Sequence, residues 1–265
     1  MSAGPEVSGV DGVPDYLVET FGPRDHDIAV VIPVINENGR LTGQLAKIRD
    51  LDPDVDVIIA DGGSTDGSTD HDILAPLAVR TLLTKTGPGK LSAQLRMAFH
   101  YCLAEGYDAV ITMDGNGKDD PHGIVTIAAA LRAGGDFVQG SRFVRGGHAE
   151  NTPWERYVAI RLIHAPMTSL GARHWFTDTT NGFRGHSRRL LTDPRVDPFR
   201  DVFDTYELLA YLPIQASRLR FSVCEAPVTR SYPTGESKPT KISGFGAHTD
   251  LLRIVTHAMW GRYAP

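Results

Sequence analysis

Cysteine is nearly absent from this chain. Two residues, Cys102 and Cys224, make neither a disulfide framework nor a zinc site, and both read as small buried hydrophobes. No apolar run approaches the roughly 20 residues that span a bilayer. The first residues are polar and rich in Gly and Pro, with no positive stretch or apolar core of a signal peptide, so a cytoplasmic location is expected. Positive charge is not in excess: the net charge of −5 leaves no global footprint for nucleic acid. His148, His164 and His186 lack metal-ligand spacing. Hydrophobic content of 41% and charged content of 22% over 265 residues fit a globular protein with a sizeable core.

What is present is organised around aspartates that close apolar runs. Ala109-Val110-Ile111-Thr112-Met113 reads as a buried strand and ends at Asp114, which opens Gly115-Asn116-Gly117-Lys118-Asp119-Asp120-Pro121. Val55-Asp56-Val57-Ile58-Ile59-Ala60 ends likewise at Asp61, followed by Gly62-Gly63-Ser64-Thr65-Asp66-Gly67-Ser68. A carboxylate at such a place must meet water, a cation or a partner, because burying it alone is too costly. Ligands of open α/β sheets bind at the carboxyl ends of strands.

Strands are further expected at Ile28 to Ile32, Val79 to Leu83 and from Asp136, with helices over Asn38 to Asp50, Lys90 to Gly106 and after Pro121. This alternation predicts an α/β fold with a mainly parallel sheet flanked by helices. Residues 1–25 read as a flexible N-terminal arm and 26–265 as one domain, with 26–143 as the nucleotide half and 144–265 as the acceptor half. The second half carries helical patterns at Trp154 to Leu170 and Phe203 to Leu212, and a strand at Leu219 to Glu225.

Six segments, in order, carry a family resemblance: Ile32-Pro33-Val34-Ile35-Asn36-Glu37; Asp61 to Gly67; Met113-Asp114-Gly115-Asn116; Gly140-Ser141-Arg142-Phe143; Asp178-Thr179-Thr180-Asn181-Gly182-Phe183-Arg184; and Tyr232-Pro233-Thr234-Gly235-Glu236-Ser237-Lys238. The set resembles the family 2 inverting glycosyltransferases with the GT-A fold, a Rossmann-like nucleotide-binding architecture. Its branch is that of dolichol-phosphate mannose synthases and polyprenyl-phosphate glycosyltransferases. The resemblance implies a UDP- or GDP-sugar donor, a divalent cation (Mg²⁺ or Mn²⁺) and transfer with inversion. It places Pro33, Glu37 and Asp61 against the nucleotide and makes Asp114 the cation ligand. Asp66 is read as shaping its own turn.

The family usually has Asp-x-Asp where this chain has Asp114-Gly115-Asn116. Asn116 still offers a carbonyl oxygen to a hard cation. Lys118 cannot ligate a metal while protonated, but its ammonium suits a diphosphate. Asp119 and Asp120 read as acids ahead of the helix at Pro121. Thr84-Lys85-Thr86-Gly87-Pro88-Gly89-Lys90 lacks the first glycine and the hydroxyl residue of a P-loop, which rejects an ATPase; Lys90 before a helix remains a donor-phosphate candidate.

Arg142, Arg156, Arg161, Arg184 and Lys238 are candidates for an acceptor or donor phosphate, since guanidinium groups match phosphate oxygens. Asp178 and Glu207 are the candidate bases, needed only for a hydroxyl acceptor. A phosphorylated acceptor, lipid or soluble, is therefore expected, with a hydroxyl of a soluble small molecule as the alternative. The C-terminal stretch from Phe245 to Tyr263 reads either as a helix packed on the core or as a peripheral membrane contact. A sugar nucleotidyltransferase would want a glycine-rich, arginine-containing loop after the first strand, where Pro33 to Glu37 stands instead; a non-catalytic nucleotide-sugar binding protein is suggested only by Asn116 and Lys118.

Overall fold

Apolar runs with no polar alternation form strands that must be covered on both faces. In the computed structural model, which describes residues 4–233 and 245–265, they become the centre of one sheet. The chain begins with β1 (Glu6–Val7) and β2 (Tyr16–Thr20). The expected alternation follows: β3 (Ile28–Val34), α1 (Gly39–Leu51), β4 (Asp56–Asp61), α2 (His71–Leu74), β5 (Val79–Lys85), α3 (Leu91–Ala104), β6 (Ala109–Thr112), α4 (His122–Arg132) and β7 (Phe137–Ser141). Next come β8 (His148–Glu150), α5 (Trp154–Ala159) and α6 (Ala165–Ala172), joined by one π-helical segment at 160–164. The chain then forms β9 (Arg184–Ser187), α7 (Arg188–Leu191), α8 (Glu207–Arg218), β10 (Val223–Pro227), β11 (Thr229–Ser231) and α9 (Phe245–Met259).

The described residues build a nine-stranded sheet in the order β1-β2-β5-β4-β3-β6-β9-β7-β10, and β8 pairs with β11 in a small second sheet. Strand β3 is parallel to β4 on one side and to β6 on the other. The chain thus runs outward through β4 and β5, then returns past β3 to lay down β6. That reversal opens a crevice at the carboxyl ends of β3 and β6, where such folds bind ligands. Alternate side chains of β3 serve the two sides of the sheet. Ala29 and Val31 join a core with Leu95 and Phe99 of α3 and Leu208 of α8. Val30 and Ile32 join another with Leu41 and Leu45 of α1 and Ile124 and Ile127 of α4.

The N-terminal arm is corrected in part. Residues 16–20 pair antiparallel with β5, from Tyr16 opposite Lys85 to Thr20 opposite Thr81. Tyr16 and Val18 point inward at period two, and the Tyr16 hydroxyl lies 3.0 Å from His100 Nδ1. Strand β9 was not expected. Arg184-Gly185-His186-Ser187 has no apolar pattern, yet it sits antiparallel between β6 and β7. Gly185 makes this possible, since a Cβ there would stand 2.8 Å from Ile127 Cγ2. The expected helix at Phe203 starts only at Glu207, and the expected strand at Leu219 starts at Val223.

Candidate active site

The carboxyl ends of β3 and β4 are tied together before any ligand arrives. Gln94 of α3, which is buried, donates Nε2 to the carbonyls of Val34 and Ala60 at 2.9 and 3.0 Å. Asp61 is buried at the end of β4, and its carboxylate accepts the N–H groups of Gly63 (3.2 Å) and Ser64 (2.9 Å) and the Ser64 hydroxyl (2.6 Å). The loop after β3 latches onto this turn: Thr65 N–H donates to Asn36 Oδ1 at 2.8 Å, and Asn38 N–H to Asp66 at 2.8 Å. Asn36 and Asn38 have positive φ of 52° and 51°, a region that Asn tolerates better than most residues. Asp66 also accepts from Ser68, so it does shape its turn. Glu37 is buried and lies 3.7 Å from Arg40, unlike a solvated acid at a helix start. Lys90 is exposed, and its N–H donates to the Asp204 carbonyl. The lysine whose charge Asp61 supports is Lys85, which sequence reading passed over; burial lowers its pKa while Asp204 and Asp61 oppose that.

Asp114 lies two residues beyond β6, in a loop closed by another unforeseen glutamine. Gln44 of α1 donates to the Asp114 carbonyl at 2.9 Å and accepts from Gly117 N–H at 2.9 Å. Gly117 turns the chain at φ 72°. The side chain of Asp114 accepts from Arg230 Nη2 at 2.9 Å. The same guanidinium reaches Asp119 at 2.6 Å through Nη1, so Asp119 is a buried ion-pair partner and not a helix-start acid. Lys118 is buried with Nζ 5.2 Å from the Tyr232 ring centroid, and Arg156 donates to the Tyr232 hydroxyl at 3.0 Å.

The electrostatics follow from this crowding. Burial alone would raise the Asp114 pKa, but Arg230 and Lys118 outweigh it and hold the carboxyl below its ordinary range. Burial, helped by Asp114, pushes Asp119 up to about 6 against the pull of Arg230. Burial would raise the Tyr232 phenol, yet Arg230, Arg156 and Arg142 bring it below the usual value. Burial and Arg230 lower Lys118. Arg230 lies in a short strand, and no spacing with Asp114, 116 positions earlier, signals their meeting.

The acceptor-side candidates divide. Arg142 and Asp178 form a two-pronged pair at 2.6 and 2.9 Å, shut away from water, with Arg142 also reaching Thr180 Oγ1 at 3.0 Å. Glu225 of β10 holds the turn before it, accepting from Thr177 and Asp178 N–H at 2.9 and 3.2 Å. Arg184 is not positioned as a surface phosphate contact: it is buried and donates to the carbonyls of Asn181, Thr179 and Leu209. Arg161 donates to the Thr177 carbonyl at 3.3 Å. Glu207 opens α8 and accepts from Asp204 N–H at 3.0 Å and from the Thr205 hydroxyl at 2.6 Å, which ties it to the turn that leads into the helix. Lys238 lies outside the described residues.

The implied divalent cation finds few ligands. One Asp114 oxygen serves Arg230 and, at 3.4 Å, Asn116 Nδ2; Asn116 Oδ1 accepts Lys118 N–H at 3.3 Å. Among the described residues, no group of three or more His, Cys, Asp or Glu could hold a metal ion. As arranged, the described residues do not by themselves form a complete cation site.

A mainly parallel sheet that reverses its order between β3 and β6, with Arg230 and Lys118 buried beside a strand-end aspartate, puts a charged cluster at the edge where folds of this kind bind ligands. A model described as Glycosyl transferase family 2 matches residues 29–193, and the chain belongs to that family of glycosyltransferases. It is 27% identical over 239 residues to polyprenol monophosphomannose synthase of Mycolicibacterium smegmatis, covering 88% of this chain and 87% of that one. It is 29% identical over 227 residues to undecaprenyl-phosphate mannosyltransferase of Micrococcus luteus, covering 82% and 88%. In fold it resembles glucosyl-3-phosphoglycerate synthase of Mycobacterium tuberculosis, crystallised with Mn²⁺, uridine diphosphate and phosphoglyceric acid. The TM-score is 0.62 at 19% identity, covering 89% of this chain and 78% of that one. The GT-A fold expected from the sequence is thus borne out, and the enzyme is a glycosyltransferase.

Proposed function

We propose that this enzyme moves a sugar from a UDP- or GDP-linked donor to a phosphate-bearing acceptor, with inversion at the anomeric carbon. The observation that carries the reading is the set of cations around Tyr232 beside Asp114. Lys118 and Arg156 contact the ring or hydroxyl, and Arg230 acts on it through its charge. Such a cluster suits phosphate oxygens, on the leaving diphosphate and on the acceptor. Asp61, Pro33 and Glu37 line the donor's nucleotide end in this reading.

A phosphate oxygen is already ionised and needs no base. That agrees with the two candidate bases, since Asp178 is committed to Arg142 and Glu207 to the start of α8. The acceptor oxygen attacks the anomeric carbon from the side opposite the diphosphate. Arg142 and Asp178 act by fixing the 178–184 loop, and the crevice cations stabilise the departing charge.

The lipid form of the acceptor, polyprenyl phosphate, is favoured over a soluble one by a surface feature. Leu162 and Leu170 are 71% and 74% exposed on the α5–α6 helical stretch, with Trp175 and Trp260 exposed as well. Trp and aliphatic side chains of this kind suit a bilayer interface. The C-terminal helix contributes differently from the membrane-contact alternative, because Ile254, Val255 and Ala258 of α9 are buried and α9 packs on α6 and α8. No helix among the described residues is long and apolar enough to cross a membrane.

The test is incubation with UDP- and GDP-hexoses and a short polyprenyl phosphate, read by mass spectrometry. A glycosyl phosphopolyprenol is expected. Transfer to the unphosphorylated alcohol, with none to the phosphate, overturns the reading.

A further inference from the structure

Position 116 is Asn and position 118 is Lys at the edge where the resemblance implies an acid-bound dication. The chain answers with positive charge of its own. Arg230 is held from two sides, by Asp114 at 2.9 Å and by Asp119 at 2.6 Å. The backbones that carry the two cations are laced together: Ser231 N–H donates to the Lys118 carbonyl at 2.8 Å, and Asp120 N–H to the Thr229 carbonyl at 3.0 Å. Lys118 and Arg230 are therefore placed by main-chain hydrogen bonds before any donor arrives.

We propose that Lys118 and Arg230 act as a built-in dication: they neutralise the donor's diphosphate, so that the nucleotide binds without a divalent metal ion. This rests on the donor reading given above. The charge arrangement supports it. A divalent ion would bridge two carboxylates; here the Arg230 guanidinium bridges Asp114 and Asp119, and the Lys118 ammonium belongs to the same cluster. Chemistry supports it too, since guanidinium and ammonium groups are the side chains that best match the charge of phosphate oxygens. A metal ion seated on Asp114 would have to share that carboxylate with Arg230 and sit against two like charges. Preorganised cations of this kind stabilise charge where it develops on the leaving group.

Calorimetry with UDP and with GDP, each in EDTA and in Mn²⁺, tests the proposal on the whole protein. The better-bound nucleotide should bind in EDTA with a Kd within about threefold of its value in Mn²⁺, a difference well below the 1.4 kcal/mol that a tenfold change represents. Lys118→Gln should weaken binding in EDTA by about tenfold or more, with circular dichroism confirming that the variant is folded. Asn116→Asp, a change in a partly exposed loop, supplies an arm that does not depend on removing a buried group. It restores the second carboxylate and should create an Mn²⁺ enhancement that the parent lacks. Binding that appears only with Mn²⁺ in the parent overturns the proposal and leaves the donor reading intact. Binding in EDTA that a folded Lys118→Gln leaves unchanged also overturns it. Absence of binding by either nucleotide in both buffers overturns the donor reading itself.

Discussion

Replacing Arg142 by Ala removes one half of an ion pair that water does not reach. The Arg142 side chain is 1% exposed and that of Asp178 is 0% exposed, and two bonds of 2.6 and 2.9 Å join them. Once the guanidinium is gone, the Asp178 carboxylate keeps, among the described residues, only backbone partners, Arg142 N–H at 3.3 Å and Thr180 N–H at 3.3 Å. Leaving a buried charge uncompensated typically costs about 3–5 kcal/mol. Against a total stability of roughly 5–15 kcal/mol, that is a large fraction. With a urea slope of about 2–3 kcal/mol/M, the unfolding midpoint should fall by more than about 1 M. Urea unfolding followed by circular dichroism measures it. Arg142→Met combined with Asp178→Leu should recover most of the loss, because exchanging both charges for apolar groups is often neutral. An unchanged midpoint for Arg142→Ala, with turnover lost, would refute the reasoning and show that the guanidinium serves substrate and not the fold.

Asp61→Ala should strongly weaken nucleoside diphosphate binding by calorimetry, as it removes the acceptor that shapes the 62–64 turn at the β4 end; unchanged affinity would remove Asp61 from the nucleotide pocket. Glu207→Gln should retain a substantial part of the transfer rate while losing about 0.5–1.5 kcal/mol of stability, as its hydrogen bonds to the 204–205 turn weaken; a rate loss of roughly 10²–10⁴-fold would instead mark a general base acting on a hydroxyl. His186 is buried, and burial, reinforced by Arg184, lowers its pKa to about 3. A folded-state value below the unfolded one, ordinarily about 6.5, means that the unfolded chain takes up the proton first, so stability is full above that value and falls as pH drops toward 3. The slope is at most about 1.4 kcal/mol per pH unit, and His186→Gln should flatten it between roughly pH 4.5 and 6.5; parallel curves for parent and variant would contradict this.

Much of residues 26–143 was legible because the signals there are local. A short β-branched run bounded by turn residues can do little but form a strand, and a carboxylate at its end must stay near water or a partner. Ile28–Val34, Asp56–Asp61 and Ala109–Thr112 accordingly emerge where they were expected, with Asp61 and Asp114 at one edge. Strand β2 was missed because its apolar run, Tyr16-Leu17-Val18, is short and stands among Gly, Pro and Asp. Strand β9 was missed because its pairing rests on Gly185 fitting under Ile127 and Leu131, which no pattern in Arg184-Gly185-His186-Ser187 reveals.

Charge partners are another matter, because they are set by long-range packing. A sequence shows that Asp114 needs a partner; it does not show that Arg230, 116 residues on, supplies it once β11 zips onto the 118–120 segment. Arg142 and Arg184 look alike as arginines near strand ends. Packing gives one a buried carboxylate and gives the other three backbone carbonyls, because the 178–184 loop folds over both. The residue types at the edge are written in the chain, since burial cost dictates where charge can stand. Which of those charges neutralise each other is settled only when the strands that carry them are brought side by side.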